Sequence, residues 1–181
     1  MKVQLIIVTL FFALSIDGQN LADTIPVSKN AVSIEFLGTS CNILSVHYDR
    51  IIKKNKTSYF STDFGFGYMP YLAAYNSNQI IGGSIAIDWN SNLYKKNHVV
   101  GGIGLAYSDG LFQLGFPDET KESHKVLFGS LRLGYKFQKT AKGMFCKIIA
   151  TPIFKIYEFS HLFMSAPTIL PLIGVGIGYS F

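Results

Sequence analysis

The sequence predicts an all-β fold, an eight-stranded antiparallel up-and-down transmembrane β-barrel. Three observations lead to this prediction. Apolar residues recur at every second position, no later apolar run is long enough for a membrane helix, and two kinds of connection alternate along the chain. Charged residues are only 15% of the chain while aromatic residues are 14%. This composition is more apolar than that of a protein whose whole surface contacts water. Besides the helix, a bilayer permits only the closed barrel, because both satisfy their backbone hydrogen bonds internally.

The N-terminal segment has the layout of a secretory signal peptide. Met1 and Lys2 form a short positive region, and residues 3–14 are almost continuously apolar. This stretch is too short for a stable transmembrane anchor. We expect cleavage after Gly18, with cleavage after Ala22 as the alternative. The predicted division of the chain is a cleaved signal peptide over residues 1–18, a short lead over 19–30 and a barrel over 31–181.

Eight segments of the remaining chain show the period of two that is typical of β-strands. In the sixth segment, Leu131, Leu133 and Tyr135 share one face, whereas Arg132 and Gly134 share the other. Each segment is a weak signal alone, but the pattern recurs along the whole chain. The predicted strands are 31–37, 41–51, 58–67, 79–88, 98–107, 125–138, 144–156 and 171–181.

The links between these segments fall into two classes. The short links 52–57, 89–97 and 139–143 are rich in Lys, Asn and Gly, and the links 68–78, 108–124 and 157–170 are longer. Membrane barrels have this alternation, with short turns at one end and longer loops at the other. The first link, at residues 38–40, is unusually tight. It either closes a hairpin or is a glycine bend within one long strand, and an even strand number favours the hairpin.

The chain ends on an alternating strand whose last apolar members are Ile177, Tyr179 and Phe181. This ending resembles the C-terminal strand of bacterial outer-membrane β-barrels. In that family the assembly machinery recognises a terminal Phe, an aromatic residue at the third-last position and alternating apolar residues before it. The resemblance implies that these three residues form an assembly signal and that the outer-membrane assembly machinery is a partner.

As an architecture, the chain resembles the membrane barrel of outer-membrane proteins A and X. The resemblance implies a monomer in the bacterial outer membrane that contacts outer-membrane lipid and lipopolysaccharide. Because no sequence follows Phe181, we expect neither a periplasmic peptidoglycan-binding domain nor a cell-wall tethering role. Structural, adhesion or loop-mediated binding roles remain. The formal charge of +5 is explained by lysines in the short links, which would meet anionic lipid headgroups, so nucleic acid is not expected as a partner.

Strand parity places a set of charged side chains on the inward face. The interior of an eight-stranded barrel is narrow enough for side chains to fill. Because isolated charges there would be costly, we expect them to pair and to hold the barrel shut. A narrow gated path for small solutes or ions is the alternative. The predicted lumen network consists of Glu35, His47, Asp49, Asp63, Asp88, Arg132, Lys136, Lys147 and Lys155.

Two other kinds of motif do not indicate a binding site. The glycines at 174, 176 and 178 superficially resemble a nucleotide-binding loop, but they continue a strand period instead of opening a helix. We therefore expect no cofactor. Cys41 and Cys146 fall near opposite ends of predicted strands, too far apart for a disulfide, so we expect two free thiols. No Cys/His spacing indicates a metal site.

An enzyme that modifies lipid A or phospholipid is the second alternative. Small outer-membrane barrels of that kind use a His-Ser pair near the external rim, where the base activates the hydroxyl. The candidates here are Ser123 with His124, and Ser160 and His161 with Ser165. Neighbours on a strand point to opposite faces, so Ser123 and His124 would not pair within one. None of these sets matches the patterns of those enzymes, so we predict no catalytic residue.

Overall fold

The chain forms a closed antiparallel barrel in which eight β-strands follow one another in sequence order. The structure is a computed structural model that describes residues 28–39, 44–55, 57–69, 80–94, 97–109, 125–159 and 169–181. The strands are β1 (Asn30–Phe36), β2 (Leu44–Lys54), β3 (Ser58–Met69), β4 (Ile80–Tyr94), β5 (Asn97–Asp109), β6 (Lys125–Gln138), β7 (Gly143–Glu158) and β8 (Ile169–Ser180). The predicted fold class is confirmed.

The barrel closes between its first and last strands. Ile34 on β1 lies opposite Ile177 on β8, and the Phe181 amide donates a hydrogen bond of 2.9 Å to the Asn30 carbonyl. Closure matters because an open sheet would leave two edges of unpaired backbone groups. We call the end that carries the β2–β3, β4–β5 and β6–β7 links the turn end, and the opposite end the loop end.

The first two strands form a hairpin, whose link runs from residue 37 to residue 43 and is therefore longer than the predicted 38–40. Glu35 on β1 lies opposite Ser45 on β2, so the two segments are separate antiparallel strands. Leu37 begins the reversal with a left-handed backbone φ of 57°. Thr39 is fully buried, and its amide donates a 3.0 Å hydrogen bond to Oε1 of Glu35. The described start of the link, residues 37–39, therefore turns inward, and Thr39 covers the Glu35 carboxylate.

The two faces of the sheet differ sharply in chemistry. The outer wall exposes large apolar side chains on every strand, including Ile34, Phe66 and Leu131. The inner face carries the polar and charged residues together with a small apolar cluster near the loop end. This cluster consists of Ala106, Val126, Phe128 and Ile153, with Leu172 packed against it.

The fourth strand is longer than the sequence predicted. The predicted strand stopped at residue 88 and the predicted turn covered 89–97, but β4 continues to Tyr94. Alternation persists as far as Asn90, which points inward, is buried and donates a 3.2 Å hydrogen bond to Oγ of Ser61. The register then shifts between Asn92 and Tyr94. Asn and Ser are residue types typical of turns, yet in a polar lumen they also occur as inward residues of a strand.

The seventh strand contains a bulge that the sequence did not reveal. Tyr157 pairs with Leu127 while Lys155 pairs with Phe128, so Ile156 is an extra residue on β7. Both Ile156 and Tyr157 are consequently exposed. A bulge of this kind breaks the period of two and increases the local twist.

The predicted signal peptide, residues 1–18, lies outside the described residues, as does most of the predicted lead. Among the residues that the structure describes, none belongs to a helix long and apolar enough to cross a membrane.

Candidate functional site

The inward faces of six strands bring charged side chains together in the middle of the lumen. They are Glu35 on β1, His47 and Asp49 on β2, Asp63 on β3, Asp88 on β4, Arg132 and Lys136 on β6, and Lys147 on β7. All are buried except Asp49, which is partly exposed. Their strands place them on this face because each alternates with an outward apolar residue, as Arg132 does between Leu131 and Leu133.

Asp63 is the most heavily paired carboxylate of this group. Its Oδ1 lies 3.3 Å from Nη1 of Arg132, and its Oδ2 accepts a hydrogen bond of 3.4 Å from Nη2 of the same guanidinium. Nδ1 of His47 lies 2.7 Å from Oδ1, and Nζ of Lys147 lies 3.6 Å from Oδ2. Partners from three other strands therefore surround one fully buried carboxylate, as a buried charge requires.

Arg132 also reaches a second carboxylate. Its Nε lies 3.2 Å from Oδ1 of Asp88, so the guanidinium joins Asp63 on β3 to Asp88 on β4. A planar guanidinium with several fixed donors is suited to holding two carboxylates at once. Gly102 on β5 lies between Asp88 and Arg132 in the ladders, so the guanidinium reaches Asp88 across a residue that has no side chain. Asp63 lies one strand further, on β3.

Glu35 is held at the loop side of the same network. Lys147 Nζ lies 3.0 Å from Oε2 of Glu35, and the backbone amide of Thr39 bonds to Oε1. His47 lies between Glu35 and Asp63. Its Nδ1 contacts Asp63, and its Nε2 lies 2.9 Å from the Ser45 hydroxyl and 3.9 Å from Oε2 of Glu35. Each oxygen of the Glu35 carboxylate therefore has a defined partner.

Asp49 and Lys136 are the two loosely held charges of the network. The Asp49 carboxylate forms no hydrogen bond or ion pair with a described residue, although it lies beside Asp63 in the ladder. Lys136 Nζ lies 4.1 Å from the centre of the Phe145 ring and forms no ion pair in the described part of the chain. Cation–π contact partly compensates that buried ammonium.

Three carboxylates of this group meet the distance requirement of a cation site. One oxygen from each of Asp49, Asp63 and Asp88 can be chosen so that all lie within 4.8 Å of one another. Arg132 already contacts two of them, and Lys147 contacts Asp63. Fixed side-chain cations therefore occupy the position where a metal ion would be attracted, and we assign no metal ion to it.

Lys155 does not join the central network. Its Nζ lies 2.9 Å from Oε2 of Glu158, three residues further along β7 and close to the loop end. The bulge at Ile156 turns Glu158 towards Lys155, and this partner could not be found from a regular period of two. The central network thus contains four carboxylates, three permanent cations and His47.

The lumen is filled differently at its two ends. At the loop end, the apolar cluster around Phe128 and Ile153 packs inside the wall. At the turn end, a pocket with about 410 Å³ of empty space, including its open mouth, extends inward from Ser28 and Asn30 to Arg132. This pocket opens towards the turn end, and the ion pairs of Arg132 lie at its inner end.

Several residues important to the network were not anticipated. Ser45 contacts His47, and the buried pair Tyr59 and His98 packs edge to face with ring centres 6.0 Å apart near the pocket. Strand parity would have placed all three inside. Ser45 and Tyr59 carry no formal charge, which gave no reason to select them, whereas His98 was overlooked although His47 was selected.

Other predicted residues fall partly or wholly outside the described structure. Ser123, His124, Ser160, His161 and Ser165, the serine–histidine candidates, are all outside it. Cys41 is also outside it, so the absence of a disulfide stays a prediction. Cys146 is a free thiol exposed on the outer wall.

The residues of the predicted assembly signal lie on the outer wall. Ile177, Tyr179 and Phe181 are each about half exposed, on the same face as the other apolar wall residues. Their side chains are accessible along the seam where β8 meets β1. Whether an assembly machinery recognises them remains a prediction.

Comparison with known proteins finds a similar fold but no similar sequence. No protein family matches the sequence, and no curated protein sequence matches it significantly. The structure is similar to the N-terminal β-barrel domain of OprF from Pseudomonas aeruginosa, with a TM-score of 0.55, 10% identity, and coverage of 86% of this chain and 98% of that one. The chain has the fold of a small eight-stranded barrel of this type. The resemblance stated from the terminal strand is confirmed at the level of the fold.

Proposed function

We propose that this protein is a small integral β-barrel of the bacterial outer membrane with a closed lumen. Its role is structural, adhesive or loop-mediated binding, rather than catalysis or open transport. The observation that carries the proposal is the combination of an apolar outer wall with a lumen filled by mutually paired charges.

The outer wall is suited to lipid and poorly suited to water. Ile103 and Ile173 are more than 60% exposed, and comparable apolar residues surround the barrel on all eight strands. Monomeric soluble proteins rarely expose a contiguous apolar surface of this extent. A bilayer accommodates it without further partners, and the closed backbone ladder satisfies the second requirement of that environment. The predicted signal peptide and the predicted assembly signal at the terminal strand agree with export to the outer membrane.

The lumen argues against an open pore. Arg132, Asp63 and Lys147 fill its centre with contacts of 3.3–3.6 Å between charged groups. Opening a continuous path would require separating these pairs, and unpaired buried charges are strongly unfavourable. The pocket at the turn end gives one specific reason to keep a narrow gated path as the second candidate, because it extends from Ser28 and Asn30 to Arg132.

Two experiments test the proposal. Cell fractionation with a heat-modifiability gel should find a folded barrel in the outer membrane, and a protein recovered only from the soluble fraction would overturn this. Purified protein in planar bilayers should show at most rare, small openings. Steady conductance that falls when Lys136 is replaced by Gln would favour the gated path instead. Phospholipid and lipid A incubated with the protein should be recovered unchanged, whereas deacylated or acylated lipid would identify an enzyme.

A further inference from the structure

A second charged surface surrounds the turn end of the barrel, outside the lumen. Six exposed cations contribute to it, from the segment before β1, from β2 and from the β6–β7 turn. We call this surface the basic collar, and it consists of Lys29, Arg50, Lys53, Lys54, Lys139 and Lys142. The short links also contain Lys56, Lys95 and Lys96, which lie outside the described residues.

The collar has no anionic partner within the described part of the protein. None of its six side chains forms an ion pair with a described residue. The described carboxylate side chains are either inside the lumen or, like Asp109 and Glu158, at the loop end. The two ends of the barrel therefore differ in charge, and the repulsion within the collar favours a partner that supplies negative charge from outside.

The collar lies at the aromatic edge of the apolar wall. Lys53 is paired in the ladder with Phe60, which is paired on its other side with Trp89. Lys139 follows the exposed Phe137 by two residues. Aromatic residues mark the boundary of the hydrocarbon region in membrane barrels, and long basic side chains extend from there to the polar headgroups. The long side chains of Lys53 and Lys139 can thus reach the depth of lipid phosphates.

Arg50 adds a polar position to the outer wall itself. It is exposed on the outward face of β2, with Asn30 opposite it on β1 and Thr62 opposite it on β3. The Tyr48 hydroxyl donates a 2.9 Å hydrogen bond to the Asn30 side chain beside it. A guanidinium among neutral hydrogen-bonding groups is suited to a phosphate diester, which accepts charge-assisted hydrogen bonds.

We propose that the basic collar binds the headgroups of anionic phospholipids in the leaflet at the turn end. The inference rests on the proposed function, since it requires the barrel to lie in a bilayer. Basic residues near an anionic membrane surface attract it additively, and the attraction is screened within about one Debye length. Anionic lipid would therefore collect around the turn end and hold the barrel in one orientation.

The fluorescence of Trp89 can report which lipid lies next to the turn end. It is the only tryptophan of the chain, and it lies at the turn end beside Phe60. The protein is folded into phosphatidylcholine vesicles, and Trp89 fluorescence is quenched with brominated phosphatidylglycerol or brominated phosphatidylcholine. We expect phosphatidylglycerol to be preferred by roughly fivefold, which corresponds to the attraction of about one basic residue. The preference should disappear at about 1 M salt, where screening is nearly complete.

Matched variants locate the effect. In the collar variant all six residues are replaced (Lys29→Gln, Arg50→Gln, Lys53→Gln, Lys54→Gln, Lys139→Gln and Lys142→Gln), and both lipids should quench Trp89 equally. The control Lys125→Gln, at the loop end, should keep the preference. Equal quenching in the folded natural protein, or a preference that survives in the collar variant, would overturn the inference. A protein that gives no heat-modifiable form in neutral vesicles would instead overturn the proposed function.

Discussion

Arg132 and Asp63 join two strands that are not neighbours in the sheet, with Nη1 of the arginine 3.3 Å from Oδ1 of the aspartate. Backbone ladders connect only adjacent strands, so this pair adds a side-chain link between β3 and β6, which are three strands apart. The contact therefore serves two purposes: it compensates a buried carboxylate and occupies the space in which a channel would run.

The first prediction concerns the loss of Arg132, the central cation of the lumen. Arg132→Met keeps an unbranched side chain but leaves Asp63 and Asp88 with less compensation, so we expect a loss of about 3–5 kcal/mol in the free energy of unfolding. Denaturant unfolding in lipid vesicles measures it. Because Arg132 is the only ion-pair partner of Asp88 in the described structure, the double variant Arg132→Met and Asp88→Asn should recover part of the loss. An unchanged unfolding midpoint in the single variant would contradict the central role of Arg132.

The second prediction tests whether the middle of the outer wall faces the hydrocarbon layer of a bilayer. Leu133 is half exposed near the middle of β6, whereas Met144 is exposed at the turn end of β7. Arginine at Leu133 should destabilise the folded barrel in a bilayer by about 2–4 kcal/mol, and arginine at Met144 by about 0–1 kcal/mol. Leu133→Met serves as the control for side-chain size. Equal stability of the two arginine variants would mean that the wall does not face a hydrocarbon layer.

The strands could be predicted from the sequence because successive residues of a strand point to opposite faces, one towards lipid and one towards the lumen, which gives a period of two. The sequence was also sufficient for the side on which Glu35 and Asp63 lie. It was not sufficient for their partners, since parity gives a face but not a height along the barrel. The stagger between strands decides that Arg132 meets Asp63 and Asp88, and stagger depends on the closed structure as a whole.

Local irregularities limited the sequence prediction in two further places. Lys155 was expected to join the lumen network, but the bulge at Ile156 gives it Glu158 as a nearer partner. Asn90 was expected in a turn because of its composition, although it continues β4 inside a polar lumen. A rule that treats polar residues as turn formers is unreliable when the core of the fold is itself polar.

The third prediction concerns assembly. Deleting Phe181 removes an exposed aromatic side chain from the predicted signal and a backbone hydrogen bond to Asn30 across the closing seam. We expect less folded protein in the outer membrane, measured by fractionation and heat modifiability. Phe181→Tyr keeps an aromatic ring and the backbone bond, and should assemble nearly normally. Normal outer-membrane levels of the folded truncation would exclude a recognition role for this residue.

The fourth prediction concerns the inward link at the loop end, which depends on close backbone approach. A Cβ added at Gly174 would lie 2.9 Å from Oε1 of Glu35 and 2.9 Å from the Cα of Gly38. Backbone on one side and a paired carboxylate on the other leave little room to relax, so Gly174→Ala should cost about 1–3 kcal/mol through overpacking. Denaturant unfolding in vesicles measures this loss. Gly83→Ala is the matched control, because the nearest atom to its Cβ would be the Gly65 carbonyl oxygen at an ordinary 3.8 Å. If the two alanine variants unfold at the same denaturant concentration, the link does not press against β8 as the structure indicates.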